Sequence, residues 1–197
     1  MIRFYTNPRS RGAMVRWMLE EIGQPYETHL LDYGTTMKSP EYLAINPMGK
    51  VPAIVHDGQV VTEVAAICAY LAEAFPEAGL APTPAERAAY YRWLFFGAGP
   101  LEAAVVNQAL GVVVPPDRKG MVGYGSFDDA VAALEGWLAA SPFVAGDRFT
   151  AADVYVGSQV GWGMMFKTLP VRPAFVAYWD RLKDRPARLR GVAKDQA

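Results

Sequence analysis

Cysteine is almost absent from this chain of 197 residues, which contains one, Cys68. A single cysteine cannot form an internal disulfide, and it excludes a metal site built from cysteines alone. The two histidines, His29 and His56, lie far apart and have no neighbouring residues of the kind that complete a metal site. We therefore expect no metal and a reducing, cytoplasmic setting.

Strong charge and long apolar runs are also lacking. The formal net charge is −1, which argues against a nucleic-acid binder with a broad basic face. No stretch reaches the roughly 18–20 uninterrupted apolar residues of a membrane span, and the first residues lack the pattern of a signal peptide. The locally basic stretch 181–194 is interpreted as a solvated surface rather than an anion site. We expect neither nucleic acid nor membrane as a partner.

What the chain does have is the composition of a globular protein, with 52% hydrophobic and 20% charged residues. Its length allows one large domain or two small ones. Short β-rich runs alternate with helical patterns up to Pro76, and after Pro82 only the helical period remains. We predict an α/β domain at 1–76, a linker at 77–83 and an all-helical bundle domain at 84–197.

The first domain is predicted from a sequence of short runs. A strand at Ile2–Tyr5 precedes a helix at 11–22, and a second strand follows at Tyr26–Leu31. One helix separates the two strands, so they should be parallel with a right-handed crossover. A short helix, a strand pair and a helix from Glu63 to Phe75 complete the order β-α-β-α-β-β-α. This is a thioredoxin-like layout.

The second domain is predicted from capping patterns. Thr83-Pro84-Ala85-Glu86 combines a capping box with proline at the first helical position, and the helix behind it should bend near residues 97–100. In the stretch 146–153, Thr150 and Asp153 form a second capping box, which allows a buried helix start without unsatisfied donors. The apolar helix that follows should run through the centre of the domain.

One stretch points to a ligand. Val51-Pro52 lies where a short β-branched run begins, and a cis bond there would turn the Val51 N–H and C=O outward. Such groups can pair with the main chain of a peptide. The helix start at Glu63–Ala65 offers N–H groups to a carboxylate, and Glu63 can receive an ammonium. The implied ligand is a short zwitterionic peptide.

These residues resemble the thioredoxin-like domain of glutathione transferases, in which a Val–cis-Pro step and a following Glu-Ser pair hold glutathione. The Gly-x-x-x-Thr-x-Ala-Asp pattern at 146–153 is similar to the N-capping box of their helical domain. The resemblance covers nearly the whole chain and points to bacterial, serine-type members similar to the theta, zeta and tau-like classes. One departure is Val64, which stands where a serine hydroxyl would bind the γ-glutamyl carboxylate.

The resemblance implies an enzyme that activates the glutathione thiol. A free thiol has a pKa of about 8.5, so lowering it by about two units needs roughly 2.7 kcal/mol. A hydroxyl donor and the positive end of the first helix can supply this. Ser10 is our catalytic candidate, against the alternative of a plain helix N-cap. Tyr5 is a weaker rival, and a one-residue shift in alignment would put Arg9 in the catalytic slot.

The remaining glutathione contacts are also implied by the resemblance. Lys38 is similar to a lysine that reaches the glycine carboxylate, and Lys50 could serve the same end; an exposed loop lysine is the alternative. Glu63 would bind the γ-glutamyl end, or act only as a first-turn helix acid. The predicted glutathione-binding set is Arg9, Arg11, Lys38, Lys50, Val51, Pro52, Glu63 and Val64.

The electrophile pocket is expected between the two domains, on the helix after Pro84 and the central helix. Its candidate residues are Tyr91, Phe95, Trp162, Met165 and Phe166, which at helical spacing would equally fit a packed core. The resemblance implies conjugation of glutathione to small apolar electrophiles by a homodimer. A glutathione-dependent isomerase, peroxidase or disulfide reductase, or a non-catalytic binding protein, are the alternatives.

Overall fold

The computed structural model describes residues 1–196, which form two compact units. The first unit contains residues 1–81 together with the chain from Asp184 onward, and the second contains Pro82–Lys183. The sequence-based boundary at residue 84 assigned the whole C-terminal part to the helical domain. The structure differs in the last helix, for the physical reason given below.

The first unit is a four-stranded sheet with helices. Its strands are β1 (Ile2–Thr6), β2 (Tyr26–Leu30), β3 (Ala53–His56) and β4 (Gln59–Thr62), and its helices are α1 (Gly12–Ile22), α2 (Pro40–Leu43), α3 (Val64–Ala74) and α9 (Pro186–Gln196). The sheet order is β2-β1-β3-β4, with β1 and β2 parallel and the other pairs antiparallel. The predicted thioredoxin-like order βαβαββα is confirmed.

Helix α1 is buried on more than its apolar face. Val15, Met18 and Leu19 are fully buried, as the helical spacing predicts. Arg16 and Glu20 are also buried, at 3% and 7% exposed, although charged residues at such positions need partners. Those partners lie on α9, which explains why the last helix belongs to the first unit.

The basic stretch near the C-terminus therefore also forms ion pairs with helix α1. Arg190 and Lys194 donate to Glu20, and Arg185 donates to Glu21 at 2.7 Å. The interpretation of this stretch as a solvated surface is incomplete for these three cations, because Arg190 and Lys194 are 54% and 52% exposed and are also paired with an acid. They pair with α1, and sequence periodicity gives no sign of a pairing across more than 160 residues.

The second unit is all-helical, as predicted. Its helices are α4 (Arg87–Phe96), α5 (Glu102–Ala109), α6 (Phe127–Ala140), α7 (Ala151–Met165) and α8 (Pro173–Leu182). The break predicted near residues 97–100 is a π-helical turn, Gly97–Leu101, which accommodates Pro100 between α4 and α5. The Gly97 carbonyl accepts a hydrogen bond from Gln159 of α7 at 3.1 Å.

The capping box at the start of α7 is present and buried. The Thr150 N–H donates to Asp153 Oδ2 at 2.8 Å, and the Tyr178 hydroxyl donates to Oδ1 at 2.8 Å. Val144 donates its N–H to the same carboxylate at 2.8 Å. One side chain thus joins the start of α7, the preceding loop and α8, and α7 passes through the core behind it with eleven of its residues buried.

Candidate functional site

Strand register brings three loops to one edge of the sheet. Tyr5 of β1 pairs with Ala53 of β3, and Ala53 pairs with Thr62 of β4. The end of β1, the start of β3 and the end of β4 therefore lie side by side. The segments that continue from these strand ends carry the predicted site: the loop with Ser10, the Val51–Pro52 step, and Glu63.

The Val51–Pro52 peptide bond is cis, as the sequence argument requires. The turn in front of it is held from both sides. Asn46 Nδ2 donates to the Lys50 carbonyl at 2.8 Å, and the same carbonyl accepts a bond from the Tyr42 hydroxyl. Burial raises the pKa of Tyr42 to about 12, so this hydroxyl remains a donor. The backbone entering the cis step is thus held by two side chains of the protein itself.

The two lysines lie at this turn. Lys38 Nζ donates to the Met48 carbonyl at 2.9 Å, and Lys50 is exposed. Gly49, which has φ +57°, has no room for a side chain: a Cβ would come within 2.7 Å of both Lys38 Nζ and the Met37 carbonyl oxygen. The ammonium of Lys38 is therefore close to the cis step and partly engaged with the protein's own backbone.

Glu63 has an unusual backbone. Its φ is 66° and its ψ is 123°, a region that costs non-glycine residues about 1–3 kcal/mol and is concentrated at functional sites. The residue is exposed, and its side chain does not cap α3. The first N–H groups of α3 lack intrahelical partners, so they can donate to an anionic group of a ligand at this helix start. Val64 directly follows and is 7% exposed.

Ser10 is held at the start of α1. Its hydroxyl donates to the Asn7 carbonyl at 2.6 Å and accepts a bond from the Gly12 N–H at 2.9 Å. This is the geometry of a helix-start turn, the alternative considered above. The acceptor to which Ser10 donates is a backbone carbonyl, so the hydroxyl can turn to another acceptor by rotation of one bond. The roles of Arg9 and Arg11, both exposed, remain predictions.

The side chain of the rival candidate Tyr5 lies in the core of the first unit. Its ring is 8% exposed, stacks on His29 with centroids 4.7 Å apart, and belongs to a core cluster with Met37 and Tyr42. A buried ring of this kind is positioned for packing. Asn7 and Asn46 are absent from the predicted site residues. Each precedes a proline, and an Asn-Pro pair is typical of turns.

The predicted pocket residues are not packed core. Phe95, Met165 and Phe166 are 71%, 62% and 64% exposed, and Tyr91 is 37% exposed. Trp162 is half-buried and meets Phe166 edge to face, with centroids 6.3 Å apart. All five lie on α4, on α7 or just after α7. Their exposure leaves these side chains accessible to a ligand, and their role in an electrophile pocket stays a prediction.

Comparison with known proteins identifies the family. Residues 11–74 match the glutathione S-transferase N-terminal domain, and residues 127–186 match the C-terminal domain. Glutathione S-transferase GST-4.5 of Xanthomonas campestris is 30% identical over 170 residues, which cover 82% of each chain. The chain belongs to the glutathione S-transferase family. The prediction of an enzyme of this family, with bacterial relatives, is confirmed.

Two further relatives of this glutathione S-transferase chain are informative. A sphingomonad glutathione S-transferase complexed with glutathione has 27% identity and a TM-score of 0.79, with 98% of each chain covered. Disulfide-bond oxidoreductase YfcG of Escherichia coli is 29% identical over 214 residues, covering 100% of this chain and 96% of the relative. Proteins similar to this chain along nearly its whole length therefore have names that denote different activities.

Three further observations concern metal ligands, membrane spans and the single cysteine. Within residues 1–196, no three His, Cys, Asp or Glu side chains come together as metal ligands would. In the same range, none of the helices combines the length and hydropathy needed to cross a bilayer. Cys68 is fully buried in α3, and burial raises the pKa of its thiol to about 12. This thiol is not positioned to act as a nucleophile.

Proposed function

We propose that this protein conjugates the glutathione thiolate to small hydrophobic electrophiles, with Ser10 stabilising the thiolate. The observation that supports this most is the single sheet edge shared by three groups of binding elements: the cis Val51–Pro52 step, the start of α3 behind Glu63, and the start of α1 at Ser10. A tripeptide laid along this edge reaches all of them.

Each part of glutathione has a proposed partner. Its peptide backbone pairs with the outward groups of Val51, as an added strand does. The γ-glutamyl carboxylate accepts from the Val64 N–H at the start of α3, and the ammonium meets Glu63. The glycine carboxylate meets Lys38 or Lys50. Arg9 and Arg11 add positive charge around the sulfur and the anionic ends of the ligand.

The sulfur lies at the start of α1. There the Ser10 hydroxyl donates to it, and the positive end of the helix favours the anion. The thiol proton leaves to solvent, and the sulfur electron pair then forms a bond to an electrophilic carbon while the leaving group departs. Ser10 stays neutral throughout, because it stabilises the thiolate and does not itself take the proton.

The electrophile is proposed to meet the exposed apolar side chains of the second unit. Tyr91 and Phe95 lie one turn apart on α4, and Trp162, Met165 and Phe166 lie together around the end of α7. Aromatic and methionine side chains adapt to apolar ligands of varied shape. A homodimer that works in the cytoplasm in detoxification is proposed from the family resemblance.

A second candidate is glutathione-dependent disulfide reduction, favoured by the similarity to the Escherichia coli oxidoreductase. Because Cys68 is buried, such a reaction would use two glutathione molecules. The first thiolate attacks one sulfur of the disulfide and releases a thiolate. The second attacks the mixed disulfide, which gives oxidised glutathione and the second thiol.

Three measurements distinguish these activities. The purified protein is tested for retention on immobilised glutathione, for turnover of 1-chloro-2,4-dinitrobenzene, and for reduction of a small disulfide in the presence of glutathione. We expect retention and aryl-chloride turnover. Retention with disulfide reduction alone supports the second candidate, and retention with neither reaction supports a binding protein. Absence of retention contradicts both enzymatic proposals.

A further inference from the structure

Two Asn–Pro pairs at the sheet edge have the same hydrogen-bond geometry. In Asn7-Pro8, Oδ1 accepts the N–H of Arg9 at 3.0 Å, and Nδ2 donates to the Leu31 carbonyl at 2.8 Å. In Asn46-Pro47, Oδ1 accepts the N–H of Met48 at 3.1 Å, and Nδ2 donates to a carbonyl at 2.8 Å. Both are Asx-turns whose amide is anchored to a second backbone site.

The first of these turns controls where Ser10 lies. Asn7 is anchored beside the end of β2, because the Leu31 carbonyl accepts from its amide and the Leu31 N–H donates to Thr6 at 2.9 Å. The Asn7 carbonyl then accepts the Ser10 hydroxyl at 2.6 Å. The position of Ser10 Oγ therefore depends on a peptide group fixed by the Asn7 side chain.

The second turn controls a different part of the site. Asn46 is 4% exposed, and its amide holds the Lys50 carbonyl directly before the cis step. It touches the segment that would grip the peptide backbone, and it is separated in sequence from the loop that carries Ser10. The two asparagines thus form the same anchored Asx-turn at two different parts of the site. A substitution of one therefore serves as a matched control for the same substitution of the other.

We propose that Asn7 is a positioning residue for thiol activation, an inference that rests on the proposed function. The Ser10 hydroxyl donates a hydrogen bond to the Asn7 carbonyl, and the Gly12 N–H donates to the hydroxyl oxygen from the other side. When a thiolate is present, the hydroxyl rotates about its Cβ–Oγ bond and donates to the sulfur. The oxygen itself does not move, because the Asn7 turn keeps the loop in place.

Loss of the two turns should have separable effects. Asn7→Ala releases the loop from Leu31, so the Ser10 oxygen is no longer fixed and the bound thiolate loses its donor. Asn46→Ala releases the segment before Val51, so glutathione loses its backbone partner and not its sulfur partner. The first variant should change the thiol pKa, and the second should change affinity.

The experiment measures both quantities without an electrophile. Calorimetry gives the glutathione dissociation constant, and the ultraviolet absorbance of the thiolate against pH gives the pKa of the bound thiol. We expect Asn7→Ala to raise this pKa by about one unit, which is about a tenfold loss of thiolate below it. The dissociation constant should be nearly unchanged when it is measured below the pKa of the bound thiol, where the ligand binds as the thiol. We expect Asn46→Ala to weaken binding about tenfold with the bound thiol pKa nearly unchanged.

A double variant tests whether Asn7 acts through Ser10. Ser10→Ala should raise the thiol pKa by itself, and Asn7→Ala should add nothing in that background, since residues that act as one unit are non-additive. Asn7→Ser keeps a turn acceptor, so it should restore part of the shift. If Asn7→Ala is unfolded in a thermal scan, Asn7→Ser carries the same comparison.

The results distinguish failure of the proposed function from failure of the proposed role of Asn7. A wild-type protein that binds no glutathione, or leaves its thiol pKa at the free value, contradicts the proposed function itself. A lowered wild-type pKa that Ser10→Ala raises and Asn7→Ala leaves unchanged contradicts only the role of Asn7. An effect of Asn7→Ala that adds in full to Ser10→Ala also contradicts that role.

Discussion

Glu20 of α1 accepts a hydrogen bond from Lys194 of α9 at 2.6 Å, across 174 positions of the chain. The same carboxylate accepts from the Tyr26 hydroxyl at 2.6 Å and from Arg190 at 3.2 Å. Arg190 also donates to the Glu20 carbonyl at 3.0 Å, near the C-terminal end of α1. The helix whose start carries Ser10 is thus held at its far end by the last helix of the chain.

Substitution of Glu20 should test this attachment. Glu20→Gln places an amide among two cations, so we expect the free energy of unfolding to fall by about 1–3 kcal/mol. Urea denaturation at neutral pH measures it. Glu77→Gln, an exposed acid of the same unit, is the matched control and should change stability by less than about 0.5 kcal/mol. Equal effects of both substitutions would contradict the special role of Glu20.

The effect of Glu20 should also depend on pH. Burial raises the pKa of this carboxyl, but the hydrogen bonds from Lys194, Tyr26 and Arg190 together lower it below its ordinary value of 4.5. A depressed folded-state pKa contributes stability that is present above the unfolded value and is lost as pH falls through the folded one. The difference between wild type and Glu20→Gln should therefore shrink below about pH 4.5.

The order of elements was predictable because it depends on local patterns. The 3.6-residue spacing of α1, the capping box at Thr150 and the proline-induced break near residue 100 all act within a few turns of chain. The helix start predicted at Pro84 was wrong by three residues, because α4 begins at Arg87 with Glu86 at its N-cap. The Thr83 N–H still donates to the Glu86 carboxylate at 2.7 Å. The docking of α9 was not predictable in this way. Its cations pair with acids on α1, and a charge pattern does not say which distant residues it faces.

The residues of the candidate site could be proposed from the sequence, but the backbone geometry and hydrogen bonds that support them could not. Val51 and Glu63 were proposed from the chemistry that a peptide ligand requires, and Ser10 was proposed from the family resemblance. The positive φ of Glu63 and the Asn7 anchor depend on how strand ends meet, which single-sequence patterns do not encode. The Asn–Pro pair is a turn signal, but its second anchor at Leu31 exists only in the folded sheet.

Two substitutions of Glu63 distinguish the effect of its side-chain charge on glutathione affinity from the effect of its backbone conformation on stability. Glu63→Gln keeps the length of the side chain and removes the charge, so we expect glutathione affinity to fall about tenfold with stability unchanged. Glu63→Gly removes the steric cost of φ 66°, so we expect a gain of about 1 kcal/mol in stability together with the same loss of affinity. Calorimetry and urea denaturation give the two readouts. Unaltered affinity in both variants would count against the docking scheme.

Val64 offers a gain-of-function test. Val64→Ser supplies a hydroxyl beside the first N–H groups of α3, where the family resemblance implies a serine, so we expect glutathione to bind several-fold more tightly. The side chain is 7% exposed, and loss of its methyl groups should cost about 1 kcal/mol of stability. Val64→Ala removes the same volume without the hydroxyl. Equal affinities of the two variants would show that the hydroxyl is not used.

Asp153 has the opposite pH dependence from Glu20. Burial raises the pKa of Asp153 to about 6, against hydrogen bonds from Val144, Thr150 and Tyr178 that lower it. A group whose folded pKa lies above its unfolded value of 3.8 contributes stability that is fully present below the unfolded value. That contribution is lost as pH rises toward about 6, and no further change follows above it.

Asp153→Asn removes this titration and part of the capping box. The amide NH₂ would face the Thr150 N–H, so two donors would meet and we expect a loss of about 2–4 kcal/mol at neutral pH. Because only the wild type titrates, its advantage over the variant should be larger near pH 4 than at pH 7. Tryptophan fluorescence follows unfolding, and Trp137, one of the five tryptophans, lies beside the box because its indole donates to the Val144 carbonyl at 3.1 Å. Asp147→Asn, at an exposed neighbouring position, is the control and should show no such pH-dependent difference. A wild-type advantage over Asp153→Asn that grows toward neutral pH would mean that the Asp153 carboxylate is ionised in the folded protein throughout this range.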